Sequence, residues 1–100
     1  MLGKGDHFQG LHSFKYGRID IRANLPYSQG LWPALWMLGA NYPEVGWPQC
    51  GEIDIMEMVG HEASTAHGIA HWGSEWNFHQ YSGSSITLPN GEHFSEEFHL

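Results

Sequence analysis

The stretch Gly51 to Gly60, GEIDIMEMVG, sets Glu52, Asp54 and Glu57 among Ile53, Ile55, Met56, Met58 and Val59. An ionised carboxylate loses its hydration in apolar surroundings, so acids in such a run imply either a wet face or a working cleft. Carboxyl groups crowded on one face resist simultaneous ionisation, which is the basis for dividing acid and base roles between them. A pair brought to ~5–5.5 Å suits a retaining glycosidase, with one acid as nucleophile and the other as acid/base. The same acids with a nearby His could instead hold Ca²⁺ or Mn²⁺.

Which chemistry is open depends on the element that carries them. On a helix, at about 100° per residue, Asp54 lies about 200° and Glu57 about 140° from Glu52, so the acids scatter. On a strand, Glu52 and Asp54 share one face while Ile53 and Ile55 share the other. The β-branched and apolar content also favours a strand. Glu57 then has the wrong parity. One extra residue taken up as a β-bulge around Ile55 and Met56 returns it to the face of the other two. Four effective steps of ~3.3 Å leave the Glu52 and Glu57 backbones ~13 Å apart, a gap that two converging Glu side chains can narrow.

The remaining text supplies neighbours for that strand. Met1 to Gly10 is Gly-rich and reads as a loop or frayed start. Leu11 to Leu25 alternates Tyr16, Arg18, Asp20 and Arg22 against Ile19, Ile21 and Ala23, which predicts a long strand interrupted near Gly17. PYSQG is a turn, and Ala34 to Leu38 a short strand buried on both faces, since Pro33 bars a regular strand before it. Gly39 to Gln49 reads as a loop. GHEAS is a turn, and TAHGIAHWG a strand with Thr65, His67, Ile69 and His71 on one face. Gly73 to Gly83 reads as a loop, SSITLP as a short strand, and Asn90-Gly91 as a turn before a final strand. Five or six short strands without a convincing helix predict an all-β, antiparallel sandwich or barrel in one domain.

Composition narrows the function. The chain has 100 residues with 41% hydrophobic and 14% aromatic content, a globular balance rather than a disordered one. Only four Lys and Arg against a formal charge of −7 argue against a nucleic-acid surface. No run of about 18 apolar residues suggests a membrane span, and the start lacks a signal-peptide pattern. Cys50 is the single cysteine, which excludes an internal disulfide and a cysteine metal cluster. Trp32 and Trp36 read from composition as core residues; the functional alternative is a platform for the apolar face of a pyranose. A His in a strand is more often a hydrogen-bonded structural residue than a catalyst, and His67 and His71 start from that position.

GEIDIMEMVG, together with FKYGRIDIRANLP, GLWPALWMLGAN, VGWPQCGEIDIME, TAHGIAHWG and the closing FSEEFHL, resembles glycoside hydrolase family 16 in its laminarinase-like branch. The resemblance runs in order from about Leu11 to Leu100. It implies a concanavalin-like β-jelly roll of two stacked antiparallel sheets, the concave one forming a cleft for a polysaccharide. It further implies retaining endo-hydrolysis of β-1,3-glucosidic bonds in β-glucans such as laminarin. Glu52 matches the family's nucleophile, Glu57 its acid/base and Asp54 the acid that tunes both. Trp32 and Trp36 match cleft tryptophans, which reverses the core reading; His71, Arg22 and Trp47 match cleft or rim positions. The resemblance implies no required cofactor and no catalytic metal, although the family can carry a structural calcium. A β-glucan partner, a monomeric complete domain and a secreted or periplasmic location are likewise implied.

Asp20 and Asn24 depart from the family's frequent Glu and Lys at those positions, away from the acids. Length departs more. Family domains are more than twice as long, so residues 1–100 are expected to be a fragment of a single catalytic domain, with an uncovered apolar face, inactive or prone to aggregate alone. Two further readings stay open: a mixed-linkage β-1,3-1,4-glucanase, and a non-catalytic β-glucan-binding module. Modules of the latter kind tend to lose the glutamates that stand here at 52 and 57.

Overall fold

The computed structural model describes residues 12–100. Its centre is an antiparallel sheet of strands β1 (Ala34–Leu38), β2 (Glu52–Glu57), β3 (Thr65–Trp72) and β4 (Gln80–Thr87), in that spatial order. Each strand pairs with its neighbour in sequence, so the sheet is a meander in which β2 and β3 are flanked on both edges. The acid-bearing strand is therefore held by ladders on two sides.

The register gives each residue its face, because side chains directly opposite one another across a ladder point the same way. Glu52, Asp54 and Glu57 stand opposite His71, Ile69 and His67 on β3. Leu38, Trp36 and Ala34 of β1 lie opposite the same three acids. Tyr81, Gly83 and Ser85 continue the rows on β4. The far face carries Leu35, Met37, Ile53, Ala66, Ala70 and Ile86, and parts of it are open: Ile53 is 52% and Ile86 67% exposed.

The core is small and lies at the Glu57 end of the sheet. Leu25, Met58, Ala63, Ala66 and Phe94 are buried together, with Ala23, Met56 and Leu88 packed against them. Met58 is fully enclosed, a burial worth about 1.5–3 kcal/mol. Backbone bonds tie this corner shut: Leu25 N–H donates to Phe94 O, and Phe94 N–H to Ala63 O.

Several expectations need correction. Residues 12–25 form no strand; their only ladder contact is the isolated bridge between Ala23 and His99. Alternation is not sufficient for a strand without a continuous ladder, and among the described residues this segment gives backbone bonds only from Ala23 to His99 and from Leu25 to Phe94. The expected final strand is reduced to that same bridge. The all-β, antiparallel and partial architecture is as expected, but among the described residues four strands in one open sheet replace the five or six expected. The loop after β1 contains one helical turn, α1 (Tyr42–Val45), with proline in its first turn where a missing N–H costs nothing. β4 begins at Gln80, inside the stretch expected to be a loop, because pairing with β3 overrides the weak strand preference of Ser82, Gly83 and Ser84. The Asn90-Gly91 turn is present, with positive φ at both residues. Met1 to Gly10 lies outside the described residues.

Candidate active site

The acids meet on one face because β2 contains a bulge. From Asp54 to Glu57 the strand advances three residues, while its partner β3 advances two, from Ile69 to His67. Against β1 the unmatched residue is Ile55, between the pairs Trp36–Asp54 and Leu35–Met56. This is the register slip that side-chain parity demands.

The connections on either side of β2 place the aromatic residues. Gly39 N–H donates to Gly51 O and closes the base of the β1–β2 loop. A Cβ on Gly39 would lie 2.0 Å from Cys50 O, so only glycine allows this closure. The loop returns Trp47 over the sheet, with its ring 6.2 Å from His71 and 4.6 Å from His79. At the other end, Met58 N–H donates to Pro33 O and Gly60 N–H to Leu31 O, which pins the backbone on both sides of Trp32. Trp32 is 64% exposed, as suits a ligand-facing ring rather than a core residue. Trp36 is half-buried in the row opposite Asp54.

Asp54 is the buried acid of the group, 2% exposed. Its Oδ2 lies 2.8 Å from His71 Nε2. The other ring nitrogen of His71, Nδ1, lies 2.8 Å from His79 Nε2. Asp54, His71 and His79 thus form a hydrogen-bonded chain running from β2 through β3 to the start of β4. Tyr81 flanks both imidazoles, 6.0 Å from His71 and 5.8 Å from His79, and Trp76 closes edge-on against Trp47.

The electrostatics follow from that packing. Glu52 is pushed up from 4.5 to about 7, first by burial and then by Asp54, whose hydrogen bond and charge both favour a proton on Glu52. The Trp47 indole acts in the opposite direction, and Glu57 adds a smaller upward push. The Trp47 N–H is buried without a hydrogen-bond acceptor, so it favours the Glu52 anion by proximity without bonding to it. Glu57 is also raised above 4.5, by burial first and by the Asp54 charge second, with His71, Trp32 and His67 opposing. Both glutamates therefore hold protons more tightly than free carboxyls do, one requirement for acid/base work near neutrality.

Glu52, Asp54 and His71 each have a potential ligand atom within 4.8 Å of the others. Asp54 and His71 are already bonded to each other, so the set is internally satisfied as it stands.

Of the residues named from sequence, Glu52, Asp54, Glu57, Trp36, His71 and Trp47 come together on or over this face, with Trp32 beside Glu57. Arg22 is placed differently. It is exposed, with its guanidinium 4.3 Å from the centre of the Phe98 ring rather than paired with an acid of the row. Trp76, whose sequence context is ambiguous between core and cleft, joins this face through Trp47, and His79 and Tyr81 are additions that no motif marks. Period-two alternation through Gln80–Thr87 would have put Tyr81 in the row of His71, had the strand been extended back past Gly83.

The chain matches the model for glycosyl hydrolases family 16 over residues 3–100. It is 42% identical over 88 residues to glucan endo-1,3-beta-glucosidase A1 of Niallia circulans, a match covering 88% of this chain and 13% of that protein. It is also 38% identical over 96 residues to a beta-1,3-glucan-binding protein of Penaeus monodon, covering 88% of this chain and 26% of that one. Among solved structures, the laminarinase catalytic domain from Thermotoga maritima MSB8 superposes with a TM-score of 0.81 at 53% identity, over 91% of this chain and 36% of that chain. The chain thus spans well under half the length of each of these relatives. The bulged acid strand, its ladder partners and the match along almost the whole chain agree: this protein belongs to glycosyl hydrolases family 16.

Proposed function

We propose that the full-length protein hydrolyses internal β-1,3-glucosidic bonds of β-glucans such as laminarin, with retention of configuration. The observation that carries this reading is the single acid face of β2, where Glu52 and Glu57 flank a buried Asp54.

In the first step the Glu52 carboxylate attacks the anomeric carbon while Glu57 gives its proton to the departing glycosidic oxygen. A glycosyl ester on Glu52 and a free sugar end result. Glu57, now a carboxylate, then removes a proton from water, which attacks the anomeric carbon and releases Glu52. Asp54 keeps Glu52 oriented, and its link to His71 anchors it in turn. The exposed ring of Trp32 beside Glu57 offers a surface to a pyranose face. At the other end the Trp47 ring lies over the sheet beside His71 and His79. No step draws on a metal. A polymeric substrate of this kind fits a secreted or periplasmic enzyme.

A binding-only role is the second reading, favoured by the similarity to a glucan-binding protein. Retention of both glutamates and of Asp54 favours catalysis. Incubating the full-length protein with laminarin, lichenan and cellulose and measuring reducing ends separates the readings. Release from laminarin above lichenan supports the β-1,3 assignment, and equal or greater release from lichenan indicates a mixed-linkage enzyme. Binding without release, unchanged in Glu52→Gln, establishes a recognition module.

A further inference from the structure

The Asp54–His71 pair does not end at His71. We propose that His79 is a positioning residue for the acid cluster, acting through His71 to hold the imidazole tautomer that donates to Asp54. The proposal rests on the glutamate roles given above for its catalytic consequence, but not for its structural content.

The argument begins with the hydrogen count of an imidazole. A neutral ring carries one N–H, and its position on Nδ1 or Nε2 is set by what faces each nitrogen. His71 Nε2 faces Asp54 Oδ2 at 2.8 Å, a carboxylate oxygen that accepts. The useful tautomer therefore has hydrogen on Nε2. The alternative, with hydrogen on Nδ1, would turn a lone pair toward the Asp54 oxygen and lose the bond. His79 Nε2, 2.8 Å from His71 Nδ1, removes that alternative by donating into the Nδ1 lone pair. Should His71 acquire a second proton, the roles reverse: Nδ1–H donates to His79, whose own hydrogen moves to its Nδ1. The bond survives in either state.

The surroundings hold His79 to this task. Its ring stacks against that of His71 with centroids 5.0 Å apart and 27° between planes. Trp47 covers it at 4.6 Å and Tyr81 flanks it at 5.8 Å. The short helical turn Trp76–Phe78 delivers it, with His79 N–H donating to Trp76 O. The titratable groups around it are His71 from β3, Tyr81 from β4, Asp54, Glu52 and Glu57 from β2 beyond His71, and Glu75 at the start of the helical turn. Among the described residues, His71 is the one of these within hydrogen-bonding distance.

The test compares His79→Gln with His79→Phe in the full-length protein. Gln keeps a side chain able to donate to or accept from His71, whereas Phe keeps a ring against Trp47 and removes both nitrogens. Imidazole ¹⁵N spectra should show His71 with hydrogen on Nε2 in the wild type and in the Gln variant, and mixed tautomers in the Phe variant. On laminarin, kcat should fall at least about tenfold in the Phe variant, with KM nearly unchanged and most of the rate kept by Gln. His71 found with hydrogen on Nδ1 in the wild type overturns the proposal even if neither variant folds. A Phe variant with the wild-type tautomer and rate does so too, and shows that His79 acts by packing alone. The spectra report on His79 whether or not the protein cleaves glucan, so a failure of the catalytic reading is seen separately as absent turnover in the wild type.

Discussion

Asp54 and Glu57 are three residues apart in the chain but only two rungs apart on the ladder with β3, and for that reason they face the same way. The bulge at Ile55 is what converts an apolar strand with misplaced acids into a single acidic row. Deleting Ile55 from the full-length protein leaves Glu52, Asp54 and the following Glu in regular alternation on one face, so laminarin hydrolysis should persist at a reduced rate. Deleting Ile53 instead puts Glu52 out of step with Asp54 and should abolish it. Reducing-end assays on the two deletions check this, and equal loss in both would show that the bulge matters for something other than facing.

The raised pKa of Glu52 has a consequence for stability whose sign is definite. Its folded-state value of about 7 lies above the ordinary 4.5, so folding favours the protonated form. That contribution is complete below about 4.5 and is lost as pH rises through about 7. Glu52→Gln mimics the neutral acid and escapes the loss. Its Tm advantage over wild type should therefore be near zero at pH 4.5 and grow to a plateau above pH 7, as thermal melts of the full-length protein would show. A pH-independent difference would contradict the burial argument. In turnover, the productive form needs Glu52 ionised and Glu57 protonated. The kcat/KM profile should then be bell-shaped, with one limb near pH 7 and the other above 4.5.

Trp32 tests the sugar platform. Its backbone is pinned at Leu31 and Pro33 while its ring is exposed beside Glu57. Replacing it by Ala should raise KM for laminarin roughly 3- to 10-fold, the equivalent of ~0.5–1.5 kcal/mol for an aromatic contact. Trp32→Phe should recover part of that. Because the indole also opposes the upward shift of Glu57, both variants should move the Glu57 limb of the pH profile upward. Unchanged KM in the Ala variant would remove Trp32 from the cleft.

Exhaustive chelation addresses the metal alternative. Asp54 and His71 are bonded directly to each other, and the proposed steps need only protons and carboxylates. Initial rates should survive dialysis against a chelator, with any effect confined to Tm. A loss of rate restored by added Ca²⁺ or Mn²⁺ would return the acid cluster to the metal reading.

Much of the site was legible in the sequence because a strand's period of two is an unforgiving rule. Glu52 and Asp54 had to share a face, Glu57 had to be returned to it, and His67 and His71 had to share one side of β3. What the rule could not supply was pairing. Leu11 to Leu25 alternates as clearly as β2 does, yet among the described residues the segment 12–25 forms a bridge only at Ala23, with one further backbone bond from Leu25 to Phe94. Conversely, Ser82 to Ser85 alternate poorly and still form a strand, because β3 offers a complete ladder. His79 escaped notice for the same reason: its role depends on the return of β4 beside β3 and on a loop that brings Trp47 over both. Arg22 was assigned by resemblance, and no local pattern could show that its side chain rests on Phe98.

The division of labour between Glu52 and Glu57 is tested most directly by trapping the glycosyl-enzyme. A 2-deoxy-2-fluoro laminari-oligosaccharide with a dinitrophenyl leaving group forms the ester quickly and hydrolyses it slowly. After incubation with the full-length protein and proteolysis, mass spectrometry should find one sugar adduct, on Glu52. An adduct on Glu57, or none while laminarin is cleaved with inversion, would contradict the assignment.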